Sequence, residues 1–443
     1  MRSYITIVVL LFCSLYINAQ EVAQFSLKEA QDYAVKNSYN TRIAQEDVVK
    51  SKKRVNEITA IGLPQVKGSV AYQNFLKLPV TVVPADFFGG DPGSFQAVTF
   101  GTDHNMTADV TANQLIFDGS YIVGLQAART YLELSKNNLV KNEIEIRQQV
   151  AQAYHMVLAA EKNEEILKKN LETVNTIHKE TKALFENGFL EEQDADQVLL
   201  NKMNLQTSIN NAQRQVKIAY NLLKFQMGMP IENEIALTED IEGMVNSKSD
   251  AAHLDTAFTM ENHIDYKIVM TNVRASELSL KNERSAYLPK LKGFFTHQQQ
   301  SPSNEFNYFS DAEWFPSNFW GINLEVPIFS SLMKHNKIQQ AKIDLDIANI
   351  QRIQMEENLR LQVDNARSNF AYALDNYHTA EENLSLAQRI KDKTNTKYKE
   401  GLSSSLELAQ AENQYLTAQG NYIQSLLNVL NGKTELDKAL NNY

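Results

Sequence analysis

The sequence predicts a mainly α-helical protein with a small β part, in which long coiled-coil helices are interrupted by four short strands. Three observations lead there. The chain repeats itself: "LPQVKGS" from Leu63 returns as "LPKLKGF" from Leu288, "LIFDGS" around Phe117 as "PIFSSL" around Phe329, and "ALFENGFLEEQD" around Gly188 as "TKYKEGLSSSLE" around Gly401. A seven-residue apolar period runs through each half. Four stretches alternate apolar and polar residues with period two.

The elements follow in order. Residues 1–20 read as a secretory signal peptide, with Arg2, an apolar run Ile5–Ile17 and the small residue Ala19. That run is too short to cross about 30 Å of hydrocarbon. The only cysteine, Cys13, lies inside it, preceded by Phe12 where a lipid anchor would need a small residue, so lipidation is not expected. Without Cys13 the exported chain has neither disulfides nor thiolate metal sites.

A first repeat spans 21–228. It opens with a helix over 26–60, started by the capping box Ser26-x-x-Glu29 and ended by Leu63-Pro64, because proline disfavours helical backbone in its predecessor. Strands follow on either side of a Gly/Pro/aromatic loop at 75–100, then a helix over 119–186, a glycine turn and a helix over 192–228. Residues 229–254 connect to a second repeat at 255–443, with helices at 255–285, 332–399 and 404–440. The landmarks lie 225, 212 and 213 residues apart, so the first copy carries about 13 extra residues in its loop, where insertions are tolerated.

In the long helices the apolar seam is Val363, Ala366, Phe370, Ala373, Tyr377, Ala380, Leu384 and Ala387. In the first copy it is Val150, Ala153, Val157, Ala160, Glu164, Leu167, Leu171 and Val174. About 68 residues at 1.5 Å each reach roughly 100 Å, longer than a compact domain uses.

Among the strands, Val66, Val70 and Tyr72 alternate with Gln65, Lys67, Ser69 and Gln73, and Met106, Ala108, Val110 and Ala112 with Asn105, Thr107, Asp109 and Thr111. Leu291 and Phe295, then Trp320, Ile322, Leu324 and Val326, repeat the pattern. One apolar and one polar face fit lipid outside and water inside, as in a transmembrane β-barrel. The aromatic loops at 75–100 and 300–319 suit a membrane interface. A small soluble sheet packed on the helices fits the same alternation. Four strands cannot close a barrel, and open edges in lipid cost several kcal/mol per unsatisfied group. Membrane strands would therefore require oligomers, of 8 strands from two copies or 12 from three.

Composition narrows the function. The formal net charge is -10, or -11 once Arg2 is removed, which disfavours nucleic-acid binding. Eight histidines show no ligand spacing, and neither a Gly-rich phosphate loop nor a G-x-S-x-G elbow is present. No enzymatic activity, cofactor or metal is expected.

With these motifs in place, the chain resembles the TolC family of outer-membrane efflux proteins over essentially its whole mature length. The resemblance rests on Leu63, Pro64, Lys67 and Gly68 with their repeats Leu288, Pro289, Lys292 and Gly293. "LIFDG" and "PIFSS", and the turns "NGFLEEQD" and "EGLSSSLE", complete it. It implies a homotrimer with a 12-stranded barrel in outer-membrane lipid, continued by a coiled-coil α-helical barrel through the periplasm. It further implies docking to a periplasmic adaptor (membrane fusion) protein and an inner-membrane pump, which powers a passive exit duct.

The Leu-Pro would mark where each copy enters the membrane, with Lys67 and Lys292 on the lumen-facing set. The tip residues Gly188, Phe189, Leu190, Gly401, Leu402 and Ser403 would meet the adaptor. A periplasmic gate would comprise Glu407, Gln410, Asp194 and Tyr398. Gln410 stands where the family pattern has a second acid, and Ser403 where it has an arginine. First-turn charge favouring the helix dipole is the alternative role for Glu407 and Asp194. The alternative for the whole chain is a soluble periplasmic coiled-coil adaptor or structural protein.

Overall fold

Capping and breaking residues decide where the helices stop. The structure, a computed structural model, describes residues 23–442, without the side chains of 247–249, and the signal-peptide segment 1–20 lies outside the described residues. The first helix expected over 26–60 is two helices, α1 (Leu27–Asn37) and α2 (Tyr39–Ile61). Ser26 and Glu29 form the expected capping box. Ser38 then leaves helical backbone at ψ 145°, and its hydroxyl accepts from the Thr41 backbone N–H at 3.3 Å, starting α2.

Both Leu-Pro phrases end their helices the same way. The Leu63 N–H donates to Ala60 O at 3.0 Å and the Leu288 N–H to Ser285 O at 3.0 Å, short closing turns that proline cannot extend. The helix before the second phrase, α7, starts only at Ile264 and runs to Ser285. Residues 255–263 form an irregular lead-in with one 3-10 turn at Met260–Asn262.

The four expected strands are present as β2 (Gln65–Asn74), β5 (His104–Phe117), β7 (Lys290–Ser303) and β8 (Phe315–Glu325). They form one antiparallel sheet in the order β2-β5-β7-β8. Within the chain the sheet is open, with β2 and β8 as its edges. Loop 75–100 also folds into a hairpin of β3 (Val80–Pro84) and β4 (Phe95–Thr99). A further two-stranded parallel sheet pairs β1 (Ala23–Phe25) with β6 (Ile235–Leu237). So the connecting segment 229–254 is structured, adding α5 (Ile241–Met244) and α6 (Ser247–His253).

The long helices are α3 (Gly119–Glu186) and α8 (Met333–Lys399), followed by α4 (Glu192–Met227) and α9 (Ser405–Leu440). The chain divides into two units. One takes residues up to Val48, Ser135–Val269 and everything from Gln351; the other takes Val49–Leu134 and Met270–Ile350.

The first unit is mainly helical, and its core uses the seven-residue seam. Val150, Ala153 and Val157 pack with Tyr154, Leu223, Met227 and Leu426. Val363, Ala366, Phe370 and Ala373 pack with Val429 and Leu436. The second unit carries the four-stranded sheet. The apolar side of that sheet is bare: Val66 is 67% exposed, Val70 70%, Ile322 61% and Trp320 75%. Among the described residues no helix is long and apolar enough to cross a membrane.

Candidate functional site

Two helix tips with one backbone design form the first candidate surface. Gly188 and Gly401 take φ +77° and +74°, which glycine adopts without a Cβ penalty. The Gly188 N–H donates to Phe185 O at 2.8 Å and the Phe189 N–H to Leu184 O at 2.9 Å. Gly401 and Leu402 repeat this toward Tyr398 O at 3.0 Å and Lys397 O at 2.8 Å. These paired bonds close each helix with a Schellman turn and leave Phe189 and Leu402 exposed at the apex.

Beyond the turns the copies differ. In the second, Ser404 and Glu407 make a capping box, and the Ser403 hydroxyl also donates to the Glu407 carboxylate. The Ser403 and Ser404 bonds hold the fully exposed Glu407 carboxyl below the usual carboxylate range. Glu191 caps α4 without a side-chain bond. Asp194 turns instead to α9, accepting from the Ser405 hydroxyl at 2.5 Å. Tyr398 bonds Thr181 at 2.9 Å, joining α8 to α3. Burial pushes the Tyr398 phenol up, and the nearby Asp194 carboxylate adds to the shift. Between these two bonds lies a small apolar plug of Ile177, Val198 and Leu408, with Tyr398 packed on it.

The structure thus brings Asp194 and Tyr398 to one cluster of contacts within the protomer. Glu407 is tied into its own helix start, and Gln410 is exposed. Thr181, Ser405 and Glu412 were missed by sequence reading. Glu412 is buried on α9, its Oε1 without a partner among the described residues, and burial pushes its carboxyl up. The signal was an acid at an apolar seam position, four residues after Leu408.

The second surface is the polar face of the sheet. Lys67 sits opposite Thr111 in the β2–β5 register, and Lys292 opposite Leu115 in the β5–β7 register. Both therefore share the face of Thr111 and Asn113. Lys290 pairs with Asp118 at 3.4 Å.

Residues 261–442 match the family described as Outer membrane efflux protein. The similarity to that family lies in this C-terminal segment. No curated protein sequence matches. Solved structures with the same fold include CusC, at a TM-score of 0.72 and 17% identity over 96% of this chain and 95% of that one. VceC from Vibrio cholerae has TM-score 0.69 and 14% identity over 94% and 95%. The open state of the Neisseria gonorrhoeae MtrE outer membrane channel has TM-score 0.69 and 16% identity over 94% and 88%.

The chain thus shares the fold of these outer-membrane channels. Its bare apolar sheet face has a physical reason, since a patch of that kind marks a surface meant for lipid or partner.

Proposed function

We propose that the chain works as a homotrimer, three open sheets closing into a 12-stranded barrel, and passes cargo outward for a periplasmic adaptor and an inner-membrane pump. The two repeats, 21–228 and 255–443 joined by 229–254, are the units that make ring closure natural. The observation that carries this reading is the pairing of β5, the last strand of the first copy, with β7, the first strand of the second. The two free edges, β8 and β2, are the last strand that the second copy and the first strand that the first copy contributes to this sheet. Repeating the inner pairing between neighbouring protomers satisfies both edges at once.

The duplication also supplies the register. Lys67 and Lys292 face Thr111 and Asn323 in their own hairpins, so β8 is β5 displaced by 323 − 111 = 212 residues. β7 is β2 displaced by 225 residues. Carrying the β5–β7 pair Val110–His297 across sets Ile322 of one protomer opposite Tyr72 of the next. The apolar face then meets lipid, and the polar face with Lys67 and Lys292 meets the lumen.

At the helix tips, the exposed Phe189 and Leu402, flanked by Leu190 and Ser403 on the Gly188 and Gly401 turns, offer the adaptor an apolar contact. Asp194 and Tyr398 latch the mouth, while Glu407 and Gln410 set its charge. A single carboxylate per protomer with a glutamine beside it makes a weaker acidic ring than two acids would.

Cysteine pairing tests the assembly, since Cys13 is the only native cysteine. Tyr72→Cys with Ile322→Cys should give oxidised trimers on a non-reducing gel, and Val66→Cys with Ile322→Cys should not. Cross-linking of the second pair and not the first would reject this arrangement.

A further inference from the structure

The lysines of the repeated phrase reach one hollow. On the polar face, where β2 and β5 meet the start of α3, lies a cavity of about 670 Å³ whose lining includes both Lys67 and Lys292. They arrive from strands on either side of β5, so the duplication places one cation on each flank. Among the described residues neither lysine side chain has an ion pair or hydrogen bond. The one carboxylate in the lining, Asp118, is already engaged. Its Oδ1 accepts from the Ser120 N–H at 2.8 Å, and its Oδ2 meets Lys290 at 3.4 Å. Asp109, further along the same face, is bonded by the hydroxyls of Ser69 and Thr111.

The rest of the wall is of another kind. Ile58, Ile61, Leu115 and Tyr121 give it an apolar side. The Tyr121 phenol donates to Thr59 O at 3.2 Å and lies over Gly62, where any Cβ would collide with it. A volume in the range of small-molecule sites, an apolar wall and two uncompensated cations specify the occupant.

We propose that this hollow is a transit site for amphiphilic organic anions, molecules with an apolar body and a carboxylate or sulfonate head. Lysine suits such a task, because an ammonium is a point charge on a flexible stem that accepts head groups of varied geometry. A duct needs binding strong enough to recruit cargo and weak enough to release it. The inference rests on the polar face being the lumen face.

The test uses the full protein in nanodiscs with two fluorescent probes, 8-anilinonaphthalene-1-sulfonate and its neutral counterpart N-phenyl-1-naphthylamine. Lys67→Gln with Lys292→Gln should weaken the sulfonate about tenfold and leave the neutral amine within about twofold. Raising salt should weaken only the sulfonate on the native protein, since screening acts on charge. Equal loss of both probes, or a sulfonate affinity untouched by the double substitution, overturns the site. The same preparation is fused to planar bilayers. Native protein that conducts while binding the sulfonate no better than the double variant removes the site and leaves the channel standing. Protein that stays silent even with the tip bonds removed by Tyr398→Phe and Asp194→Asn refutes the lumen placement, and the site with it.

Discussion

Two hydroxyl bonds, Tyr398 to Thr181 and Ser405 to Asp194, join neighbouring helices near the tips and form the proposed latch. The neutral Tyr398–Thr181 bond is worth about 1 kcal/mol net, so a mouth held by it, as proposed, would be easy to bias. Tyr398→Phe should shift the balance between closed and open tips about fivefold, read as longer open times in single-channel records. Unchanged gating would assign Tyr398 to packing alone.

His155 supplies a pH dependence deeper in the helical unit. Burial holds it down to about 4, against 6.5 for a free imidazole, although the Asn431 side chain bonds it at 3.2 Å. Between those values the unfolded chain takes up a proton that the folded chain refuses. Stability is therefore complete above about pH 6.5 and falls as pH drops toward 4, by roughly 3 kcal/mol in all. Denaturant midpoints at pH 7 and 4.5 should move less in His155→Gln than in the native chain. At this scale the family resemblance singled out Asp194 and Tyr398 by their place relative to the glycines, and the structure shows each bonded to a neighbouring helix. It gave no sign of Thr181 or Ser405, because a hydroxyl's partner is chosen by the helix packed across from it.

Among the elements, regular patterns were easy to read and long-range interruptions were not. The helix over 119–186 and the four alternating strands stand where periodicity put them, since many residues vote for each. The break at Ser38 depends on Gly228, far along the chain. Gly228 takes φ +72°, and a Cβ there would meet Asn37 O and, at 2.7 Å, Ser38 Cα. Strands of three residues, β1 and β6, are too short to show a period at all. The hairpin β3–β4 had β-branched residues but sat among Gly, Pro and aromatics that read as loop. Gly228→Ala should cost more than about 2 kcal/mol, combining backbone strain with a backbone clash. Gly401→Ala, with nothing within 4 Å of its Cβ position, should cost only the conformational penalty of about 1 kcal/mol. Thermal melts of the two variants check the contrast.

For the whole molecule, the bare face and the free edges belong together. A sheet exposing Val70 and Trp320 while leaving β2 and β8 unpaired is unfinished as a single chain. Val70→Lys should place a charge against lipid at about 2–4 kcal/mol per copy near the bilayer midplane. In the proposed trimer the substitution recurs in every protomer, so the penalty triples, and the yield of membrane-inserted trimer should collapse while the helical content of the chain survives.

The unfinished sheet also has a genetic consequence. An assembly that every subunit must complete cannot dilute a bad one. For the proposed trimer, if normal and edge-defective chains were made in equal amounts and joined at random, only about one ring in eight would contain three sound subunits. One damaged allele would then silence most of the pool, and a peptide shaped like β2 could poison the remainder by occupying the vacant seam first.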